Sequence, residues 1–355
     1  MNKQLVKGND AVVAGALLGG ATHFFGYPIT PASEIAHGAA DLFTRTGRTY
    51  LQAEDEVNAI NMIYGASSAG ARSMTASSGP GISLMAEGLS YLAGAELPAV
   101  VVDVQRAGPG LGNIWPEQSD YNAVIKGGGH GNYRNIVLAP ASAQEMCDFT
   151  CRAFELAERW RMTVFILTDA YIGQIMEPVV YPDRVQHAPR KDWAIYADAA
   201  SRANLVTSIY MNSKLLSDHN IALNEKYKLI EAELADCEEY YTEDAEFIYV
   251  AYGVTARISL SAVQELRRLG YKAGLFRPKT LYPFPAGRLA ELAKRVSTLI
   301  AVELSNGQMA VDVELAVRCG LPVLRYNWMG GLVPSTGELV DRTVAELKLK
   351  GARHA

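Results

Sequence analysis

Several features that would assign a function at once are scarce in this chain. No stretch approaches the roughly 20 consecutive apolar residues that a membrane-spanning helix needs. The first nine residues lack the apolar core of a signal peptide. The formal net charge is only −5, with both signs mixed, which gives no reason to expect nucleic acid or an anionic membrane surface as a partner. Together these absences predict a cytoplasmic protein.

Cysteine is also scarce, with four residues in the whole sequence. Cys147 and Cys151 have the i, i+4 spacing of one helical face, whereas Cys237 and Cys319 are isolated. Iron–sulfur and zinc sites usually take several cysteines at short spacings. We therefore interpret these residues as buried, reduced thiols, and we expect no metal ligand on this chain.

Apolar residues, by contrast, make up 49% of the sequence, enough for a substantial core in one large or two medium domains. Short apolar strands alternate with helical patterns over residues 1–180, and the alternation resumes over 245–355. Residues 181–244 are less regular and are predicted to form a connector with some helix. Buried strands that alternate with helices predict an α/β fold with parallel sheets, the second domain being the smaller one.

A short loop from Tyr27 to Pro31 follows the first apolar strand. Pro28 and Pro31 exclude both a helix interior and a central strand, so they predict a rigid loop. Such a loop would present Thr30 at the end of a strand, where α/β proteins bind ligands. An ordinary turn between strand and helix explains the same residues, so the loop alone does not decide between the two interpretations.

Three acids, Glu54, Asp55 and Glu56, stand at the start of a predicted helix. Acids near a helix amino terminus complement its dipole, which is one sufficient explanation. The helix that follows is apolar around most of its circumference, however, so one of the three carboxyl groups would be desolvated. A desolvated carboxyl group is suited to hold and donate a proton, which is the alternative interpretation.

The remaining candidates are weaker when taken singly. Arg106 ends an apolar strand, where its guanidinium could bind a carboxylate or could simply be solvated. The glycine-rich turns Gly79–Gly81 and Gly108–Gly112 match neither known phosphate-binding fingerprint. His130 lies in a run of glycines and is interpreted as a polar loop residue rather than as a ligand.

Taken in order, these motifs resemble the α subunit of 2-oxoacid:ferredoxin oxidoreductases. The resemblance extends over nearly the whole chain, and the order and spacing of the motifs make it specific. The motifs are Tyr27-Pro28-Ile29-Thr30-Pro31, Glu54-Asp55-Glu56, Thr75-Ala76-Ser77-Ser78-Gly79-Pro80-Gly81, Arg106 and Val302-Glu303-Leu304-Ser305-Asn306-Gly307-Gln308-Met309.

The resemblance implies thiamine diphosphate (ThDP) as cofactor. The first domain would be the pyrimidine-binding half of a ThDP fold, and the second would resemble the transketolase C-terminal domain. Glu56 matches the family's glutamate that hydrogen-bonds N1′ of the aminopyrimidine and so promotes removal of the thiazolium C2 proton. The resemblance further assigns Tyr27 and Pro28 to the cofactor pocket, and Thr30 and Arg106 to the carboxylate of the 2-oxoacid.

The resemblance also implies partner chains. ThDP enzymes hold Mg²⁺ and the diphosphate with a Gly-Asp-Gly element, and no Gly-Asp-Gly occurs in this sequence. Mg²⁺ and the [4Fe-4S] clusters would therefore belong to a β subunit, a γ subunit and a ferredoxin-like δ subunit. The assembled complex would convert a 2-oxoacid and coenzyme A to an acyl-CoA and carbon dioxide, with electrons passing to ferredoxin.

Three segments suggest which 2-oxoacid is used. Residues 113–120, 127–131 and 138–142 are most similar to the 2-oxoisovalerate (branched-chain) type, and the 2-oxoglutarate type differs most after Gly110. We therefore expect an α subunit that prefers branched-chain 2-oxoacids. Two alternatives stay open at this point: an α subunit of the 2-oxoglutarate type, and a non-catalytic assembly subunit that has kept the fold.

Overall fold

The computed structural model describes residues 3–183 and 185–347. Its strands are β1 (Lys3–Lys7), β2 (His23–Gly26), β3 (Thr49–Gln52), β4 (Ser73–Ser77), β5 (Ala99–Gln105), β6 (Ile136–Leu138), β7 (Thr163–Asp169), β8 (Met176–Val180), β9 (Cys237–Tyr240), β10 (Phe247–Val250), β11 (Ala273–Pro278), β12 (Thr280–Tyr282), β13 (Thr298–Glu303) and β14 (Val323–Asn327). Its helices are α1 (Gly8–Leu18), α2 (Ser33–Arg45), α3 (Glu56–Ser68), α4 (Gly79–Gly94), α5 (Tyr121–Ile125), α6 (Ala143–Trp160), α7 (Ala170–Gln174), α8 (Ser213–Leu234), α9 (Gly253–Arg268), α10 (Ala286–Ala293), α11 (Gln308–Ala316) and α12 (Thr336–Glu346).

The first sheet has the strand order β12-β6-β7-β5-β4-β2-β3. Neighbours from β6 to β3 run parallel, and β12 joins the far edge antiparallel. Strands β5 and β7 are buried along their whole length, which explains why their sequences are apolar on both faces. The predicted parallel α/β architecture is confirmed.

The second sheet has the order β14-β13-β10-β11-β9. Its strands run parallel except for β9, which pairs antiparallel with the edge of β11. Helices α9 and α12 pack together on this sheet, with Leu266 and Leu339 among the buried side chains. A smaller α/β unit therefore follows the first one, as expected.

Two strands lie in a sheet other than the one that the predicted boundaries suggest. Strand β12 lies in the second unit by sequence but pairs with β6 of the first sheet, Thr280 opposite Leu138. Strand β9 lies inside the predicted connector 181–244 but belongs to the second sheet. Helix α8 provides the helix expected in that connector. The division at residues 180 and 244 stays a prediction.

Some local expectations were wrong. The Gly79–Gly81 segment was expected to be a turn outside the helix, but it forms the first turn of α4. Pro80 is compatible with this position because the first backbone amides of a helix have no partner inside it. Strands β1, β3 and β8 were not anticipated, since they are short and partly exposed and show no apolar run.

The cysteines also differ from the expectation. Cys147 is buried, and burial raises the pKa of its thiol to about 12, but Cys319 is exposed. Within residues 3–183 and 185–347, no group of three or more His, Cys, Asp or Glu side chains is arranged to hold a metal ion. No helix in this part of the chain combines the length and the apolar character needed to cross a membrane.

Candidate active site at the carboxyl edge of the first sheet

Two of the predicted site residues meet where adjacent parallel strands end. Thr30 follows β2 and Arg106 follows β5, and these two strands flank β4. Arg106 donates from Nη1 to the carbonyl oxygen of Thr30 at 2.8 Å and from Nη2 to the carbonyl of Leu111 at 3.2 Å. The guanidinium is therefore held by backbone oxygens on both sides, at the edge where open α/β sheets bind ligands.

A buried asparagine that the sequence analysis missed anchors the loop from Tyr27 to Pro31. Asn9, in the first turn of α1, donates to the carbonyl of Pro31 at 2.8 Å and to Glu34 Oε2 at 3.1 Å. Pro31 is buried, while Tyr27 and Thr30 stay exposed. The loop is therefore anchored at its buried end and presents Tyr27 and Thr30 to solvent. No local pattern in the sequence indicates this role for Asn9.

The three acids near the start of α3 have three different environments. Glu54 is exposed, and Asp55 is the N-cap residue, with its carboxylate accepting from the amide of Asn58 at 2.7 Å. Glu56 is buried, with 4% of its surface exposed. Among the described residues, its carboxyl group has no hydrogen-bond or ion-pair partner. Because Glu56 is the most buried of the three and its carboxyl group has no donor within residues 3–183 and 185–347, it is the one of the three that fits a bound ligand.

The surface beneath Glu56 is made of small residues at the beginning of α4. A Cβ atom on Gly81 would lie 2.5 Å from Glu56 Oε1 and 2.0 Å from Ser77 Oγ, both far inside van der Waals contact. The Ser77 hydroxyl is itself buried and has no hydrogen-bond partner within residues 3–183 and 185–347. Glycine at position 81 therefore leaves the space that the Glu56 carboxyl group occupies.

Substituting Gly81 with Ala should destabilise the protein and displace Glu56. We expect a loss of about 1–3 kcal/mol in the free energy of unfolding, because the new methyl group overpacks the site. Gly65→Ala is the matched control: Gly65 also lies in a helix, and nothing lies within 4 Å of its added Cβ. That variant should gain about 0.5–1 kcal/mol. Chemical denaturation of both variants measures the difference, and equal stabilities would contradict the packing argument.

A cavity of about 1110 Å³ opens beside Arg106. Its walls come from the amino end of α4, from the segment after β5 and from the second unit. The lining includes Gly79, Arg106, Glu117, Asp120 and Gln308. Arg106 was predicted from its sequence position, whereas Glu117 and Asp120 were not, because a lone Glu or Asp in an irregular segment carries no recognisable pattern.

Three acids around this cavity have raised pKa values. Burial raises the pKa of Asp120 to about 6, and Glu117 adds to the increase, while Arg106 and the Gly79 amide oppose it. Burial likewise raises the pKa of Glu117, against the amides of Gly330 and Gly331. Asp103 lies inside β5 with no exposed surface, and burial followed by repulsion from Asp120 raises its pKa well above the usual range. The cavity therefore combines one cation with acids that resist ionisation.

The second unit holds the segment that carries these acids. Gln308 accepts from the amide of Asn122 and donates to the carbonyl of Ser119, both at 2.8 Å. Glu303 is fully buried and accepts from the amide of Met309 at 2.9 Å, which fixes the start of α11 next to Gln308. The Val302–Met309 motif thus clamps the chain on both sides of Asp120.

The other two glycine-rich segments differ in whether they line this cavity. Gly108 and Gly110 line the cavity. His130 does not: its carbonyl accepts from Ser90, and its ring packs edge-on against Tyr91 on the outer part of α4. Its interpretation as a polar loop residue agrees with this position.

Exposed apolar side chains occur in the segments that carry Glu56, Thr30 and Arg106 and in the elements next to them. We call this set the apolar rim. It combines side chains after β2 and in β3, at the start of α3 and in α4, and after β5. Its members are Tyr27, Leu51, Val57, Leu84, Leu111, Ile114 and Trp115. Grouped exposed apolar residues usually mark an interaction surface.

Comparison with known proteins agrees with this geometry. Residues 14–239 match the family model for the thiamine-diphosphate-binding domain of pyruvate flavodoxin/ferredoxin oxidoreductases, and residues 245–339 match core domain II of pyruvate:ferredoxin oxidoreductase. Ketoisovalerate oxidoreductase subunit VorB of Methanothermobacter marburgensis is 56% identical over 93% of this chain and 94% of its own length. The chain belongs to the 2-oxoacid:ferredoxin oxidoreductase family.

Further relatives lie within the same family. The 2-oxoglutarate synthase subunit KorA of Archaeoglobus fulgidus is 35% identical over 92% of this chain and 95% of its own length. The 2-oxoglutarate:ferredoxin oxidoreductase of Magnetococcus marinus superposes with a TM-score of 0.87 at 28% identity, over 97% of this chain and 65% of the solved chain. A split-gene transketolase shares the fold, with a TM-score of 0.62 at 13% identity over 97% of each chain.

The residues present fit the pyrimidine half of ThDP. Glu56 is buried and its carboxyl group lacks a partner within the described chain, and only glycine at position 81 leaves room for that carboxyl group. A carboxyl group in such a place can share a proton with a ring nitrogen. The comparisons and the site therefore agree on a thiamine-diphosphate-binding domain in this oxidoreductase subunit.

Proposed function

We propose that this chain is the α subunit of a CoA-acylating 2-oxoacid:ferredoxin oxidoreductase and that Glu56 is its catalytic acid. The observation that carries the proposal is the buried, unpartnered Glu56 carboxyl group beside Gly81. Glu56 would hold a proton against N1′ of the aminopyrimidine, with Tyr27 and Pro28 forming the neighbouring wall. When bound, ThDP supplies the carbon nucleophile that adds to the keto carbon.

The substrate would bind next to the Tyr27–Pro31 loop. Arg106 presents a guanidinium whose Nη atoms are already oriented by the carbonyls of Thr30 and Leu111. Its Nε is buried and has no hydrogen-bond partner among the described residues. That arrangement supports a role for Arg106 in binding the carboxylate of a 2-oxoacid, with the Thr30 hydroxyl beside it.

The other half of the site would come from partner subunits. The sequence lacks Gly-Asp-Gly, and the side chains of the apolar rim are exposed. A β subunit would cover this rim and contribute the diphosphate site with Mg²⁺. The [4Fe-4S] clusters that pass electrons to ferredoxin would be held by the β subunit, a γ subunit and a ferredoxin-like δ subunit, and coenzyme A would accept the acyl group.

The assembled complex should prefer 2-oxoisovalerate to 2-oxoglutarate. The 56% identity with ketoisovalerate oxidoreductase subunit VorB supports this choice over the 35% identity with the KorA type. We expect at least about a tenfold higher kcat/KM for the branched-chain acid. Equal values, or a preference for 2-oxoglutarate, would favour the alternative type.

A further inference from the structure

Asp120 faces the amino end of α4 from the opposite side to Glu56. A Cβ atom on Gly79 would lie 3.1 Å from both carboxylate oxygens of Asp120, just as one on Gly81 would meet Glu56. The first turn of α4 therefore lies between two acids. Asp120 lines the cavity next to Arg106, and Glu56 is not among its lining residues.

The polar atoms between Asp120 and Arg106 are incompletely satisfied. Asp120 Oδ2 and Arg106 Nε are both buried, and neither has a hydrogen-bond partner in the described part of the chain. Both carboxylate oxygens of Asp103, behind them in β5, are also buried and unpartnered. Unsatisfied buried polar atoms of this kind indicate a place for a ligand or for an exchangeable proton.

The charged groups that face Asp120 come from three directions. Glu117 belongs to the same segment, Asp103 comes from the interior of β5, and Arg106 comes from the end of β5. The start of α4 contributes the amide of Gly79. From the second unit, the phenol of Tyr252 interacts electrostatically with Asp120, and the cavity-lining residues Asn306 and Gln308 are uncharged. One cation is thus opposed by up to three acids in a cavity that is proposed to receive an anion.

We propose that Asp120 takes up a proton when the 2-oxoacid carboxylate binds at Arg106, and that this proton sets the affinity of the site for its substrate. The inference rests on the proposed function, since Arg106 must be the carboxylate-binding group. Asp120 is a positioning residue in this account. In its neutral form it leaves the whole Arg106 charge to the substrate, and in its ionised form it competes for that charge and repels the incoming carboxylate.

The sign of the effect follows from linkage. An added negative charge next to Asp120 favours the protonated carboxyl group, so the substrate binds more tightly to the protonated enzyme. Because the pKa of Asp120 is about 6 before the substrate binds, affinity should fall as the pH rises through the neutral range. Full coupling would change the dissociation constant by up to about tenfold per pH unit.

The test uses the assembled complex and 2-hydroxyisovalerate, which has the carboxylate and the branched chain but no keto group. Its inhibition constant is measured between about pH 5.5 and about pH 8 for the wild type, Asp120→Asn, Glu117→Gln and Arg106→Gln. The carboxylate of the probe stays ionised over this range. Asp120→Asn imitates the neutral carboxyl group and keeps an oxygen that can face the Gly79 amide.

For the wild type we expect binding about tenfold weaker at the alkaline end than at the acid end. Asp120→Asn should bind the probe tightly at every pH. In Glu117→Gln, the pH at which binding weakens should be lower than in the wild type, because Glu117 helps to raise the pKa of Asp120. If Asp120→Asn fails to assemble, the Glu117→Gln shift alone decides the inference. An unchanged transition in either variant would overturn it.

Arg106→Gln separates the inference from the function on which it rests. This variant could bind the probe weakly at all pH values while Asp120→Asn keeps the pH dependence of the wild type. That result would reject the proton uptake and keep the proposed carboxylate site. Binding as tight as in the wild type would reject the carboxylate site itself and the inference with it.

Discussion

Glu56→Gln should lower the turnover of the assembled complex by a factor of about 10² to 10⁴ while leaving assembly intact. The substitution preserves the size and the buried position of the side chain but removes its ability to hold and release a proton. The small first turn of α4 continues to accommodate it, because Gln occupies the same space beside Gly81. Turnover is followed as 2-oxoacid-dependent reduction of an electron acceptor, and assembly by size-exclusion chromatography.

Glu54→Gln is the control for that substitution. Glu54 stands two residues away but is exposed, so its replacement should leave turnover within about twofold of the wild-type value. The pair also discriminates between a catalytic subunit and a non-catalytic assembly subunit. If the chain serves only in assembly, Glu56→Gln and Glu54→Gln will behave alike, and the catalytic proposal fails.

The isolated chain should bind ThDP weakly and show no measurable oxidative decarboxylation. In the proposed site, Glu56, Tyr27 and Pro28 would contact only the pyrimidine side of the cofactor. The sequence contains no Gly-Asp-Gly to hold Mg²⁺ and the diphosphate. Covering the apolar rim would also exclude water, which strengthens every charge interaction in the site. Calorimetric titration of ThDP into the chain, with and without its partner, measures the difference.

Sequence patterns alone predicted which segment carries the candidate acid, but not which of its three acids is buried. Periodicity put Glu54, Asp55 and Glu56 at the start of a largely apolar helix, and only the family resemblance selected Glu56. The structure supplies the physical distinction: Asp55 caps α3, Glu54 is solvated and Glu56 is buried. Which of three adjacent residues turns inward depends on where the helix begins, and helix ends are poorly determined by sequence.

Other parts of the site could not be predicted because they depend on contacts between distant segments. Asn9 supports the Tyr27–Pro31 loop from another helix. Asp120 reaches the cavity only because Gln308, from the second unit, holds the chain on either side of it. The pairing of β12 with the first sheet could not be predicted either, because a three-residue strand carries too little pattern to indicate its partner. Local periodicity, in contrast, was sufficient to predict α6 and the central strands β5 and β7.

The measurement that tests the half-site account most directly is turnover as this chain is titrated against its β partner at constant total protein. The account predicts no activity when either protein is left out and maximal activity at equal amounts, with the γ and δ subunits, ferredoxin, coenzyme A, ThDP and Mg²⁺ present throughout. When the wild-type chain is replaced by the Glu56→Gln variant, the stoichiometry of assembly should stay unchanged and the activity should be lost. Oxidative decarboxylation by this chain without any partner would contradict the account.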